Sequence, residues 1–289
     1  MTPPLGASFY ADRARLQTVR VLENVAIARD TFRVRFACPE LARSIVPGQF
    51  IMLKLAGCDD PLLGRPLAFY DRVLDAAGEP SGLDVVYLVV GKLTSRLARS
   101  LPGQEIQIWG PLGNGFAPTT AEHLIMVAGG IGQTPFLALA QEYSGRQQFA
   151  QRSVAPAQRI TLCYGARKKE YLAGVEDFQR LGIEVALSTD DGSAGHHGLV
   201  THLLQRTLVD ASLGSTRVVA CGPERMLEAV AEICSDAGVA CEVSLETPMA
   251  CGIGICFSCV TRVRDASGEW DYRRTCVEGP VFDAAQIAW

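Results

Sequence analysis

The segment HLIMVAGGIGQTPF, residues 123–136, decides how the rest of the chain is read. His123 to Ala128 form an apolar run of strand length, Gly129-Gly130-Ile131-Gly132 form a turn, and Pro135 opens a helical pattern over 135–143. A buried strand that runs through glycines into a helix is the first half of a parallel crossover unit. Its turn can aim backbone N–H groups and the positive end of a helix at a diphosphate, with Gly129, Gly130 and Gly132 as the contact points. Proline suits the first helical turn. The spacing is not G-x-G-x-x-G, and a tight strand-to-helix turn with no ligand would look the same.

Downstream the alternation continues. Apolar strands at Ile160–Tyr164, Glu184–Thr189 and Arg217–Cys221 interleave with helical segments at 174–181, 198–207 and 223–237. This predicts a parallel sheet with crossover helices. The polar stretch 144–158 reads as a loop. Two further turns fall at the carboxyl edge where open α/β sheets bind ligands. Cys221-Gly222-Pro223 closes one strand, and Thr189-Asp190-Asp191-Gly192 closes another. Carboxylates such as Asp190 there would accept ribose hydroxyls and repel a 2′-phosphate, which favours NAD over NADP. Arg167 and Lys168 after a neighbouring strand pull the other way, or are a solvated turn.

Upstream the pattern is β. Short runs at 19–28, 31–38, 49–55, 66–74, 83–90 and 105–109 are punctuated by Pro47-Gly48, Gly78-Glu79-Pro80 and Pro102-Gly103, and only 93–100 suggests a helix. Several short strands with regular turns predict a closed barrel. Arg65-Pro66-Leu67-Ala68 starts one strand, and Gly91-Lys92-Leu93-Thr94 leads another into a helix. An arginine fork and a helix start can each hold a phosphate; a surface charge and an ordinary N-cap are the plainer readings.

The last stretch carries the densest chemistry. Ten cysteines occur; Cys38, Cys58, Cys163, Cys221, Cys234 and Cys241 are scattered, while Cys251-x4-Cys256-x2-Cys259-x16-Cys276 form a cluster. That order matches the plant-type ferredoxin pattern for a 2Fe–2S centre. Gly252 and Gly254 allow the tight wrap such a loop needs. The alternatives are a four-cysteine zinc site, which usually comes as two C-x2-C knuckles, and plain buried thiols.

Composition narrows the class. With 289 residues, 48% hydrophobic and 20% charged, the chain has matter for about two domains at roughly 150 residues each. The 27 basic and 31 acidic residues give a net charge of −4, and aromatics are 7%, so neither nucleic acid nor an anionic membrane is an expected partner. No signal-like segment and no apolar run of about 18 residues occurs, so the chain reads as cytoplasmic. His123, His196, His197 and His202 fall in no motif; Trp270 and Trp289 suit packing or an interface.

In their order, these motifs resemble the ferredoxin–NAD(P) reductase superfamily: RPLA at 65–68, GGIGQTP at 129–135 and CGP at 221–223. More closely, the chain is similar to the electron-transfer subunits of class 1B dihydroorotate dehydrogenase, through PGQF at 47–50, GPLGNGF at 110–116, TDDGS at 189–193, CGPERML at 221–227, ETPMACGIGICFSC at 246–259 and RRTCVEGPVF at 273–282. The likeness covers residues 18–284.

The resemblance implies a Greek-key FAD-binding barrel at 18–117 after an N-terminal segment 1–17, a Rossmann-like NAD domain at 118–242, and a 2Fe–2S subdomain at 243–289. It implies that Arg65, Pro66, Leu67, Ala68, Val86, Tyr87, Leu88, Gly91, Leu93 and Thr94 serve FAD. Gly129, Gly130, Gly132, Asp190, Cys221 and Gly222 would serve NAD, and Cys251, Cys256, Cys259 and Cys276 would hold the cluster. Ala68 stands where the family usually has serine, one hydrogen bond fewer, worth about 1 kcal/mol.

The activity so implied is electron transfer from an FMN-containing catalytic partner, through 2Fe–2S and FAD, to NAD+ in pyrimidine synthesis. The expected assembly holds two copies of each subunit, and the chain itself carries no acid–base residues for oxidising the substrate. A sister subunit serving a hydrogenase or a ferredoxin–NAD(P) reductase is the nearest alternative, and a non-redox zinc protein with a nucleotide fold is the more distant one.

Overall fold

Strand β1 (Arg15–Ala28) begins and closes a six-stranded barrel in the computed structural model, which describes residues 11–209, 211 and 215–289. Residues 1–10 of the expected N-terminal segment lie outside the described residues. The other barrel strands are β2 (Thr31–Ala37), β3 (Phe50–Leu55), β4 (Arg65–Leu74), β5 (Pro80–Leu88) and β6 (Glu105–Leu112), in the order β1-β2-β5-β4-β3-β6. All six pairings are antiparallel, and the order is a Greek key. Period-two alternation builds the interior: along β6, Ile106 and Ile108 point inward, between exposed Glu105 and half-buried Gln107 and Trp109. Each such side chain contributes about 1.5–3 kcal/mol through burial.

The barrel contains two helices, not one. Helix α1 (Pro39–Ser44) was not expected; at six residues it is too short to show a helical period, and only Pro39 in its first turn marks it. Helix α2 (Lys92–Leu97) occupies the expected place.

The second layer is a seven-stranded sheet. Its strands are β7 (His123–Gly129), β8 (Arg159–Ala166), β9 (Glu184–Thr189), β10 (His196–His197), β11 (Thr216–Cys221), β12 (Ala240–Ser244) and β15 (Val281–Asp283). Their order is β10-β9-β8-β7-β11-β12-β15. Helices α3 (Phe136–Tyr143), α4 (Val175–Arg180), α5 (Val200–Val209) and α6 (Glu224–Ala237) connect them. The sheet is parallel except for β15, which runs antiparallel to β12. That edge strand comes from beyond the cysteines, and three residues carry no pattern by which a sequence reading could find it. A separate hairpin, β13 (Val260–Arg264) with β14 (Trp270–Arg274), lies between Cys259 and Cys276.

Two seams join these parts. Tyr70 Oη donates to Asp177 Oδ2 at 2.6 Å, Gln141 Nε2 donates to Asp71 Oδ1 at 3.0 Å, and Arg72 Nη2 donates to the Gln148 carbonyl at 2.7 Å, tying barrel to sheet. A small apolar cluster of Phe50, Met52, Leu112, Met249 and Val277, with Cys259 and Cys276, ties barrel to cysteine segment. No described helix is long and apolar enough to cross a membrane.

Candidate electron-transfer site

The cysteine loop packs against the barrel. At Gly252 the backbone has φ +72°, and a Cβ there would stand 2.5 Å from Met52 Cγ, so only glycine permits the approach. Trp109 of β6 donates its indole N–H to the Cys251 carbonyl at 2.9 Å. Asn114, just after β6, donates to the Val281 carbonyl at 2.7 Å and accepts from Val281 N–H at 3.1 Å. The loop is thus placed by β6 and by β3, the strand between β6 and β4.

The four thiols stand as two pairs. Cys259 and Cys276 are each 2% exposed, and their Sγ atoms lie 3.2 Å apart. Their mutual hydrogen bond lowers Cys259 to about 6 and raises Cys276. Cys256 is exposed, and the Ser258 hydroxyl 3.2 Å away, with the Ser258 N–H and Cys251, lowers it to about 6. Thiolate is the ligand form. Among the described residues, no three His, Cys, Asp or Glu side chains converge as a single ion would need. Two thiol pairs suit two metal atoms, as a four-cysteine 2Fe–2S centre requires. Around the open pair, Ile255 and Phe257 are 73% and 53% exposed.

At the start of β4, Arg65 is exposed, makes no ion pair among the described residues, and donates only to its own loop, at 3.0 Å to the Gly64 carbonyl. Pro66 pairs in register with Met52, and Ala68 with Phe50. Leu67 is buried in the barrel core. Along β5 the side chains alternate: Val86 faces the seam with the sheet, whereas Tyr87 turns into the barrel core and donates to Asn24 Oδ1 at 3.0 Å. Leu88 ends the strand half-buried. Thr94 Oγ1 accepts from Val90 N–H at 3.0 Å and Gly91 N–H at 3.1 Å, so its hydroxyl caps the helix entry. Leu93 is core. Gly91 is exposed with open space beside it.

The nucleotide edge joins three strand ends. A Cβ on Gly132 would stand 2.1 Å from the Cys221 carbonyl oxygen, so the two glycine turns after β7 and β11 are packed backbone to backbone. Gly129 and Gly222 are likewise closed in by Met226, while Gly130 faces open space. The sheet order reverses between β7 and β11, which makes this the topological switch point. Burial, then Glu246, pushes the Cys221 thiol up to about 12. Asp190 is exposed at the end of β9; Asp191 accepts from Ser193 N–H at 3.0 Å, and the Ser193 hydroxyl and N–H hold its carboxyl below the usual range. Sequence reasoning missed Trp109 and Met52, because a side chain placed by strand register leaves no motif.

A family model for the iron–sulfur cluster binding domain of dihydroorotate dehydrogenase B matches residues 246–288, and one for an oxidoreductase NAD-binding domain matches 126–232. The first match displaces the zinc alternative. The dihydroorotate dehydrogenase B (NAD(+)) electron transfer subunit of Desulforamulus reducens is 35% identical over 272 residues, 93% of this chain and 97% of its own. The subunit of that name from Caldanaerobacter subterraneus is 34% identical over 268 residues, 93% of this chain and 96% of its own. Among solved structures, an NADH-dependent reduced ferredoxin–NADP oxidoreductase, described for flavin-based electron bifurcation, superposes with a TM-score of 0.77 at 27% identity, covering 94% of this chain and 90% of that one. A ferredoxin–NADP+ reductase from Neisseria gonorrhoeae with bound FAD and NADP shares the fold at a TM-score of 0.60 and 18% identity, over 77% of this chain and 92% of that one. Similar to these subunits across nearly the whole of both chains, the protein belongs to the family of electron-transfer subunits of NAD(+)-linked dihydroorotate dehydrogenase B.

Proposed function

We propose that this chain carries electrons between a catalytic partner, which oxidises dihydroorotate with its own FMN, and NAD+, in the cytoplasm and as two copies of each subunit. The observation that carries the reading is the cysteine loop: two thiol pairs, one sealed against the barrel and one at the surface. Cys251, Cys256, Cys259 and Cys276 would hold a 2Fe–2S cluster. Arg65, Gly91 and the strand ends at Val86 and Leu88 would hold FAD. Gly130, Asp190 and the Cys221–Gly222 turn would hold NAD. A cluster moves single electrons, nicotinamide takes only hydride, and a flavin exchanges both, so the three groups together match one-electron to two-electron chemistry.

The chain's own residues do the placing. Trp109 and Met52 fix the loop beside β4, and Met52 is also the register partner of Pro66. Arg65 offers an unneutralised fork for a phosphate oxygen. The exposed Ile255 and Phe257 give the open thiol pair an apolar rim for a partner. A role beside a ferredoxin-linked NADP reductase is the second reading, favoured by the 27% identical solved structure.

The test is Cys256→Ser in chain purified with and without its native partner. Dihydroorotate-dependent NAD+ reduction by the complex should fall to background, with iron and labile sulfide lost, while NADH-dependent dye reduction by the chain persists. Dihydroorotate oxidation by the chain alone, or undiminished transfer in the variant complex, would refute the assignment. Copurification with a ferredoxin-reducing partner would favour the second reading.

A further inference from the structure

Arg274, the last residue of β14, is 6% exposed and lies against the cysteine loop. Its Nη1 donates to the Gly254 carbonyl at 3.0 Å, and its guanidinium stands 5.0 Å from the centre of the Phe257 ring. The same Gly254 packs on the turn that carries Cys276: a Cβ on it would stand 2.5 Å from Cγ2 of Val277, the next residue along. One glycine therefore links a buried cation to the turn that carries Cys276. Glu278, one helical turn on, accepts from the Arg274 N–H at 2.7 Å and from Nε at 3.3 Å. Arg274 Nη2 is buried and has no partner among the described residues. A buried guanidinium with an N–H left over, bonded to the cysteine loop at Gly254 and two residues before Cys276, is placed to face negative charge.

We infer that Arg274 and Glu278 together set the reduction potential of the cluster, the first raising it and the second restraining it. The inference rests on the reading that the four cysteines hold 2Fe–2S. Two ferric ions, two sulfides and four thiolates sum to −2. One added electron makes −3, with no bond broken and no proton moved. A cation in a desolvated position favours the more negative state; a carboxylate beside that cation weakens the effect. Next to this pair stand Arg273, whose Nε lies 3.6 Å from Glu278 Oε1, and Asp271, which holds Arg273 at 2.7 Å. Both lie farther toward solvent than Arg274, so the buried pair dominates the local field.

The test is an EPR-monitored redox titration of the complete chain, with dithionite as reductant and the flavin followed optically in the same sample. Arg274→Gln should shift the cluster midpoint to more negative potential and Glu278→Gln to more positive potential. Arg274→Lys, which keeps the charge, should stay near wild type. The flavin midpoint should not move. A purely structural role predicts lost iron with no opposed shifts, and unmoved or same-sign shifts overturn the inference. Should Arg274→Gln fail to retain its cluster, Arg274→Lys and Glu278→Gln decide alone: a positive shift confined to the second supports the inference, and any other pattern overturns it. Wild-type protein that shows no cluster signal on reduction instead sinks the underlying cluster reading.

Discussion

Against the parallel sheet the barrel presents Tyr70, Asp71 and Arg72, three consecutive residues of β4 that hydrogen-bond across the seam, beside Val86 and Phe116, which join the sheet's apolar cluster. Against the cysteine segment it presents Phe50, Met52 and Leu112, packed on Met249 and Val277. The two seams differ in what they tolerate. The first adds directional and titratable contacts to its apolar packing. Close packing in the second depends on volume and is indifferent to pH. The apolar seam carries the cysteine loop, and the seam with titratable contacts carries the parallel sheet.

The sharpest way to break that contrast is to overfill the apolar seam. Gly252→Ala would put a methyl group 2.5 Å from Met52 Cγ at a backbone φ of +72°. Left-handed strain and overpacking together cost about 4 kcal/mol. Thermal unfolding should show the loss at every pH, with iron released sooner on heating. A variant as stable as wild type would mean that the loop can lift off the barrel and that the seam is not rigid.

The polar seam should answer to pH instead. Burial raises Asp71 to about 6 in the folded chain, against an unfolded value of 3.8. Folding then takes up a proton: the stabilisation is complete below about pH 4 and is lost as pH rises through about 6. At higher pH the folded state must keep a desolvated carboxylate. Asp71→Asn retains an acceptor for Gln141 and the Arg72 N–H without that cost. The variant should be more stable than wild type at pH 8, by up to about 3 kcal/mol at 1.36 kcal/mol per unit, with the gain shrinking toward pH 5. Equal melting differences at pH 5 and pH 8 would show that Asp71 is not desolvated.

How much of this was legible in the sequence follows from the same contrast. The alternation from His123 onward marked the crossover arrangement and four of the sheet's strands, β7, β8, β9 and β11, each bounded by turns; β10 and β12 were not among the expected strands. The glycine turns at 129–132 and 221–222 were visible as letters, yet their reason was not: Gly132 is needed chiefly because the Cys221 carbonyl sits where its Cβ would be. The cysteine spacing showed a cluster loop, since thiolates around a small inorganic core must come close together in sequence. What stayed hidden depends on register and long-range docking. Tyr87 shares β5 with Val86, but strand alternation turns it into the barrel core. Short α1 and β15 carry too few residues for a period to appear. Trp109 meets Cys251 across 142 residues of chain, a separation that no local pattern encodes.

That last contact gives the smallest and most specific test. Trp109 is half-buried, and its ring lies against Gly64, where an added Cβ would stand 2.7 Å from Cη2. The indole thus touches the residue before Arg65 on one side and bonds the Cys251 carbonyl on the other. Trp109→Phe keeps most of the ring contact and deletes the N–H, which leaves that carbonyl short of a donor. The expected cost is about 1 kcal/mol in stability. Its signature should be local: faster loss of iron to a chelator at unchanged flavin content, because the removed bond ends on the cysteine loop and not on β4. If iron and flavin were instead lost together, the indole would be holding the barrel itself, and the apolar seam would owe its rigidity to the ring and not to the hydrogen bond.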